Sequence, residues 1–265
     1  MAYLLKADSL LEKEAMKGKR LMNGGIALSL VFVICHFITL MHGDLPAILK
    51  YGSLVGIGIG ILLNRLALQH YGACMSGAEG ERRVSAFLVK ELSNDWVILN
   101  DLEVQSNQKT AQIDHLLVGP YGIVLIETKN VKGRISLTDN KQYWAQEKRY
   151  DTKQFYSPTL QARGHEAAIK SVISLFHLDK YIPIRSVVLF SDEGIELKLP
   201  LFVDGVPVKK LETLAALDFT GGKEPVFSKQ EVDYISRILL GIHGEPIEEG
   251  QENVCTFHHT GRFGI

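Results

Sequence analysis

The chain has 265 residues, of which 46% are hydrophobic and 22% charged, with a formal net charge of −1. That length holds one large domain, or a smaller one with accessory segments. The near-neutral balance excludes a global electrostatic attraction to nucleic acid, so any basic surface has to be local.

Residues 1–20 carry Lys6, Lys13, Lys17, Lys19 and Arg20 and are expected to form a cytoplasmic amphipathic helix, a leader lying against the inner leaflet of a membrane. Residues 24–41, GGIALSLVFVICHFITLM, are an uncharged apolar run. After the short loop His42-Gly43-Asp44-Leu45-Pro46 comes a second run, AILKYGSLVGIGIGILL, at 47–63. A bilayer core of about 30 Å needs about 20 helical residues, so each run spans once its flanks are included. Lys50 can snorkel to the interface, and Gly56, Gly58 and Gly60 permit close helix approach. Residues 21–71 are therefore expected to form a two-helix transmembrane hairpin. Arg65, Arg82 and Arg83 follow the second run, and the intervening loop has no Lys or Arg. By the positive-inside rule both termini face the cytoplasm, on the inner membrane. A buried core hairpin is the competing reading. A cleavable signal peptide is disfavoured by the long charged leader and the lack of a small-residue cleavage pattern.

From about residue 72 to 242 the pattern becomes globular. GAEGERRVSAFLVKEL (77–92) predicts a helix with Val84, Leu88 and Leu92 at helical spacing. Trp96–Leu102 predicts a strand, and Val104–Thr110 a polar loop. AQIDHLLVG and GIVLIETKN predict two strands joined by the turn Gly119-Pro120-Tyr121-Gly122. Both strands are apolar at successive positions, which suits a central place in a sheet covered on both faces. Arg134–Tyr150 suggests a hairpin around Asp139-Asn140, with Trp144 in the core. Ser157-Pro158 opens a helix to about His177, Arg185–Phe190 is a strand, and Leu211–Leu217 a short helix. Ser228 and Glu231 form a capping-box signature for a helix through Leu240. Residues 243–265 are expected to be a flexible tail. The three cysteines, Cys35, Cys74 and Cys255, provide no disulfide framework and no CxxC pair, as in a reducing compartment. Cys255 with His258 and His259 brings a single thiol, so a polar tail is preferred there to a metal site.

Chemistry concentrates on the two apolar strands. Asp114 interrupts IDHLLVG, where a carboxylate is costly to desolvate without a cation or metal. Glu127 closes the following strand, and Lys129, two positions on, points to the same face. The turn brings Asp114 and Glu127 alongside one another, so two carboxylates and an ammonium share a pocket. Such a group suits metal-assisted hydrolysis of a phosphodiester, with Asp114 and Glu127 holding Mg²⁺ or Mn²⁺ and Lys129 acting on the developing charge. Glu81 lies on the apolar side of its helix, at i−3 from Val84 and i−7 from Leu88, and either joins this pocket or caps the helix.

These residues carry a resemblance. GAEGE (77–81), QIDHLLVGPYGIVLIETKN (112–130) and Gly133 resemble the nuclease-related domain, or NERD, family, which is similar to the PD-(D/E)XK nuclease superfamily. The resemblance implies an α/β fold: a PD-(D/E)XK-like central mixed sheet flanked by helices, here preceded by the N-terminal transmembrane helical hairpin. It implies that Asp114 matches the PD aspartate, Glu127 and Lys129 the E-x-K, and Glu81 the acid of the first helix. Gln161 falls where many relatives place a glutamine on the helix after the core and is a candidate substrate contact. His165, four residues on, stands where related nucleases often have a tyrosine, so no substrate contact is assigned to it. The similarity covers about 77–190 and continues more weakly to about 240.

Residues 129–153 add Lys129, Lys132, Arg134, Lys141, Lys148, Arg149 and Lys153 beside Tyr143 and Tyr150. That makes Lys132 and Arg134 candidate phosphate contacts, against the alternative of an alternating-charge hairpin face. The expected activity is that of a membrane-anchored, metal-dependent nuclease acting on DNA before RNA, with no organic cofactor and with homo-oligomerisation open. The alternatives are a catalytically silent module recruiting nucleic acid or a protein partner to the membrane, and a membrane-assembly protein that works through its hairpin.

Overall fold

The computed structural model describes residues 3–7, 10–42, 46–106, 109–175, 181–215, 219–221, 224–241 and 254–257. They fall into two compact units, Ser9–Ala78 on one hand, and Met1–Asp8 with Glu79–Ile265 on the other.

The smaller unit contains helix α1 (Leu10–Met41) and most of helix α2 (Ala47–Glu91). Gly18 lies against His70 and Tyr71, Gly25 against Gly60 and Asn64, and Gly56 against Phe32. The contacts advance along one helix as they retreat along the other, so the pair is an antiparallel hairpin. A Cβ at Gly60 would lie 2.2 Å from Ser29 Oγ, which is why small residues are needed on this seam. Farther along, His36 Nδ1 and Ser53 Oγ are 2.8 Å apart, a polar link between the helices. Leu30, Val31, Phe37, Ile48, Val55 and Ile61 are exposed. Both helices are long and apolar enough to cross a membrane.

The larger unit is a mixed α/β structure with two sheets. The first has eight strands in the order β10-β11-β8-β4-β3-β2-β1-β12, and the second has four, β7-β6-β5-β9. In the first sheet β2 (Val97–Ser106), β3 (Lys109–Gly119) and β4 (Gly122–Lys129) form an antiparallel meander. The chain then builds β5 (Arg134–Leu137), β6 (Tyr143–Lys148), β7 (Asp151–Tyr156) and helix α3 (Pro158–Ser174), and returns as β8 (Ile184–Phe190) parallel to β4. Strands β9 (Glu196–Lys198), β10 (Phe202–Val203) and β11 (Val206–Lys210), helix α4 (Lys229–Leu240) and β12 (Val254–Phe257) complete it, with β1 (Tyr3–Ala7) alongside β2.

The apolar periods explain the layers. Val84, Leu88 and Leu92 of α2 pack on one face of the first sheet with Ile98, Leu117, Val124 and Ile126. Ala162, Ile169 and Ile173 of α3 and Val232, Ile235 and Leu239 of α4 pack on the other with Leu116, Leu125, Ile135 and Trp144. Strands β3 and β4 are covered on both sides, as their unbroken apolar runs require. Gly122 has φ +113°, and a Cβ there would meet Pro183 O at 2.3 Å, so this turn admits only glycine. Ser157 caps α3 with Pro158 in its first turn, and α4 opens on the Ser228–Glu231 capping box and ends on left-handed Gly241.

Several expectations change. The leader is not a single helix: Tyr3–Ala7 is a strand parallel to β2, and α1 begins at Leu10. The helix of 77–92 is the end of the long α2, and the two units divide at Ala78, not at residue 71. The segment 104–110 is not a loop. Glu103 pairs with Gln112 and Gln105 with Thr110, so the ladder continues through polar residues because backbone groups, not side chains, make it. Where a helix over 211–217 was expected, the described residues 211–215 form a 3-10 turn, Leu211–Thr213, that does not continue through 214 and 215. Residues 176–177, 216–217, 243–253 and 258–265, with His258 and His259, lie outside the described residues, and Val254–Phe257 is a strand.

Candidate active site

Asp114 and Glu127 come together because β3 and β4 are antiparallel and in register, with His115 opposite Ile126. Where the next ladder bond would form, Thr128 N–H donates instead to Asp114 Oδ2 at 2.7 Å. A side chain has replaced a backbone acceptor, which fixes that carboxylate at the end of the paired region.

Glu127 is completely buried, while the Lys129 side chain keeps 22% exposure. Lys129 Nζ donates to Glu127 Oε1 at 2.5 Å and to Gln161 Oε1 at 3.2 Å. Gln161 and His165 are one turn apart on α3, on the face that looks at the β4 end. His165 Nδ1 is 3.3 Å from Glu127 Oε2, yet neither atom makes a hydrogen bond.

Glu81 arrives from the opposite face of the sheet. Its neighbour Gly80 packs on the end of β4 so tightly that a Cβ there would lie 2.4 Å from Asn130 Cβ and 2.7 Å from Ser191 Oγ. The glycine in GAEGE is thus what lets α2 approach and brings Glu81 among the other acids.

The electrostatics follow from crowding. Burial, and then the charge of Glu127, push the Asp114 carboxyl up to about 8, against the opposing pull of Lys129 and the Thr128 amide. Burial, and then Asp114, Asp101 and Glu127, push Glu81 up to about 9. Burial works to lower the Lys129 ammonium, but Glu127 and Asp114 outweigh it and hold it above its ordinary value.

A hard divalent cation is the group such an acidic set accommodates. Two observations test the fit: burial and the neighbouring carboxylates together raise the pKa of Asp114 and Glu81, and Glu127 Oε2 is a buried oxygen without a hydrogen-bond partner. A cation relieves both. Among the described residues no three His, Cys, Asp or Glu side chains form a ready ligand cluster. Asp114 and Glu127 are the side chains that could hold such an ion, and Mg²⁺ needs few protein ligands because it keeps several waters.

The two candidate phosphate contacts behave differently. Lys132 is exposed, and its carbonyl accepts from Gln146 Nε2 at 2.7 Å. Arg134 is engaged by Glu196 at 3.0 Å and Glu147 at 3.6 Å on the second sheet. Arg149 lies over the ring of Tyr150, which is 86% exposed, whereas Trp144 is wholly buried against Phe155 and Phe190.

Asp101 adds a further charge to the site, and His115 braces the strand beside Asp114. Asp101 is buried with φ +53°, a left-handed conformation uncommon outside glycine, and accepts from Gln112 Nε2 at 3.3 Å. The β2–β3 pairing steps from Asn100–His115 to Leu102–Ile113, over Asp101 and Asp114. Val97 and Leu99 before this point, and Leu102 and Val104 after it, all enter the α3-side core, so the alternation slips by one residue. That slip is visible in the sequence as a two-residue gap, Asn100-Asp101, between apolar positions. His115 is buried, held neutral by burial that lowers it to about 3, and bonded to Asn100 Oδ1 at 2.7 Å. Asn100 Nδ2 donates to Ser85 Oγ at 2.8 Å, tying β3 through β2 to α2.

Residues 76–191 match the family profile of the nuclease-related domain, a span that contains all of these residues. This segment is a nuclease-related domain. An uncharacterized protein of Bacillus anthracis is 28% identical over 139 residues, which is 52% of this chain and 63% of that relative. The match thus covers less than two thirds of the relative's length. No solved structure matches the chain significantly. The nuclease-related domain takes in the end of α2, the meander, the second-sheet hairpin, α3 and β8, and so every element that positions Glu81, Asp114, Glu127, Lys129, Gln161 and His165.

Proposed function

We propose that the protein is a membrane-anchored, divalent-metal-dependent nuclease, with DNA the preferred substrate over RNA. The observation that carries this reading is the Lys129–Glu127 pair at 2.5 Å, beside Asp114 and backed by Gln161. Asp114 and Glu127 would hold Mg²⁺ or Mn²⁺, which when bound neutralises phosphoryl charge and lowers the pKa of water. Lys129, with its ammonium partly exposed, supplies a positive charge where charge develops on the scissile phosphate. Gln161 fixes the lysine's direction, and buried Glu127 keeps it protonated. Lys132 lies on the strand's exposed exit and is suited to a neighbouring phosphate. The apolar hairpin would hold the domain at the inner membrane with both termini cytoplasmic, following the cation distribution.

Full-length protein in detergent is assayed on single- and double-stranded DNA and on RNA with Mg²⁺ and Mn²⁺. The expected result is cleavage that falls at least about a hundredfold in Asp114→Ala and Lys129→Ala, as for loss of a transition-state contact. Unchanged turnover in both variants refutes the mechanism. Reporter fusions at each terminus test the orientation.

The lack of a ready three-residue ligand cluster among the described residues favours a second reading, a silent module that binds nucleic acid or a protein partner at the membrane. It predicts salt-sensitive binding without turnover across metals. Turnover abolished by Glu127→Ala excludes it.

A further inference from the structure

We infer that His165 is itself a ligand in this pocket: its Nδ1 and Glu127 Oε2 form a two-donor edge that favours a first-row transition ion over Mg²⁺. The inference rests on the metal-dependent reading above and adds a residue and an ion preference to it. The two atoms are 3.3 Å apart, and both are buried polar atoms without a hydrogen-bond partner. A buried carboxylate oxygen and an imidazole nitrogen this close would normally hydrogen-bond, since the alternative leaves both desolvated and unsatisfied. Here no hydrogen bond joins them. That is the relation of two donors that converge on a third atom. With bonds of about 2.0–2.2 Å, adjacent nitrogen and oxygen ligands stand about 3 Å apart.

The placement of His165 is built, not incidental. Ser157 and Pro158 set the start of α3, and Glu166 Oε2 accepts from Ser186 Oγ on β8 at 2.9 Å, pinning the turn that carries His165. Gln161 takes the other side of the site through Lys129. Glu127 is thereby divided, with Oε1 facing the lysine and Oε2 facing the imidazole. An imidazole adds affinity for first-row transition ions and little for Mg²⁺, which prefers oxygen and water.

Full-length protein stripped with EDTA is titrated with Mn²⁺ and separately with Mg²⁺, and bound Mn²⁺ is read by electron paramagnetic resonance. The chain has nine histidines, so the nitrogen signal is assigned by variants. The expected result is a nitrogen coupling to Mn²⁺ that disappears in His165→Gln, with Mn²⁺ affinity down at least about tenfold and Mg²⁺ affinity unchanged. Melting in EDTA checks the fold, and His165→Ala repeats the measurement with a smaller side chain. Mn²⁺ affinity and coupling retained in both variants, but lost in Glu127→Gln, overturn the His165 assignment and leave the carboxylate site standing. Mn²⁺ binding indifferent to Glu127→Gln as well overturns the metal reading and this inference together.

Discussion

Gly80 lies so close to Asn130 that a Cβ at position 80 would stand 2.4 Å from the asparagine Cβ. The contact joins α2 to the end of β4, and Glu81 is the next residue. Gly80→Ala is therefore expected to push the helix away and destabilise the protein by about 1–3 kcal/mol, the usual range for overpacking. Divalent-cation affinity should fall with it. Chemical denaturation and calorimetric titration measure the two effects, and a variant as stable as the parent contradicts the packing account.

Lys129→Met removes the cation from a wholly buried carboxylate. Breaking such a pair typically costs about 3–5 kcal/mol, because the remaining charge has no partner. The loss should be largest in EDTA and should shrink with added Mg²⁺ or Mn²⁺, which replaces the missing positive charge. Denaturant midpoints with and without metal test this. A loss that metal does not reduce argues against Glu127 as a ligand.

Stability should depend on pH through His115. Its pKa is about 3 in the folded state, below the ordinary value near 6.5, so the unfolded chain binds the extra proton. The stability conferred by the neutral ring is complete above about 6.5 and is lost as the pH falls towards 3, by several kcal/mol in all. In His115→Asn the fall between pH 6.5 and 4 should be shallower than in the parent. Parallel curves in the two proteins would sink this assignment.

The acids act in the opposite direction. Asp114 and Glu81 stand at about 8 and 9 when folded, so the stability from their neutral forms is present below about pH 4 and is lost as pH rises through 8 and 9. A cation at Asp114 requires its ionised form and favours that of Glu81 beside it, so binding should release protons at pH 7, and affinity should climb between pH 7 and 9. Calorimetry in buffers of different ionisation enthalpy counts the protons. Binding without release at pH 7 contradicts the raised values.

The parts of the fold legible in the sequence are those set by local pattern. The β3–β4 turn, the capping box of α4, the buried Trp144 and the two apolar helices all follow from periodicity, turn chemistry or run length. Asp114, Glu127 and Lys129 come together as their spacing on adjacent strands requires. What the sequence left hidden depends on distant partners. Tyr3–Ala7 is a strand because β2 lies beside it, and nothing in YLLKA announces that. Likewise Glu103–Thr110 looks like a loop until Gln112 and Ala111 are placed opposite. Arg134 suggested a phosphate contact, but Glu147 and Glu196 reach it only once the second sheet is folded.

The one-residue slip at Asp101 and Asp114 determines how many layers of the protein can contribute to one pocket. With strict alternation, the residues facing α2 and those facing α3 would stay on opposite sides of a closed wall. The slip opens a window in that wall. Through it an acid from α2 shares an electrostatic environment with side chains served by α3. Regular alternation would return only if Asp101 and Asp114 were both removed, because each strand carries one of the two skipped residues. With both gone the wall would close, and the pocket would lose the acid that meets Thr128 N–H.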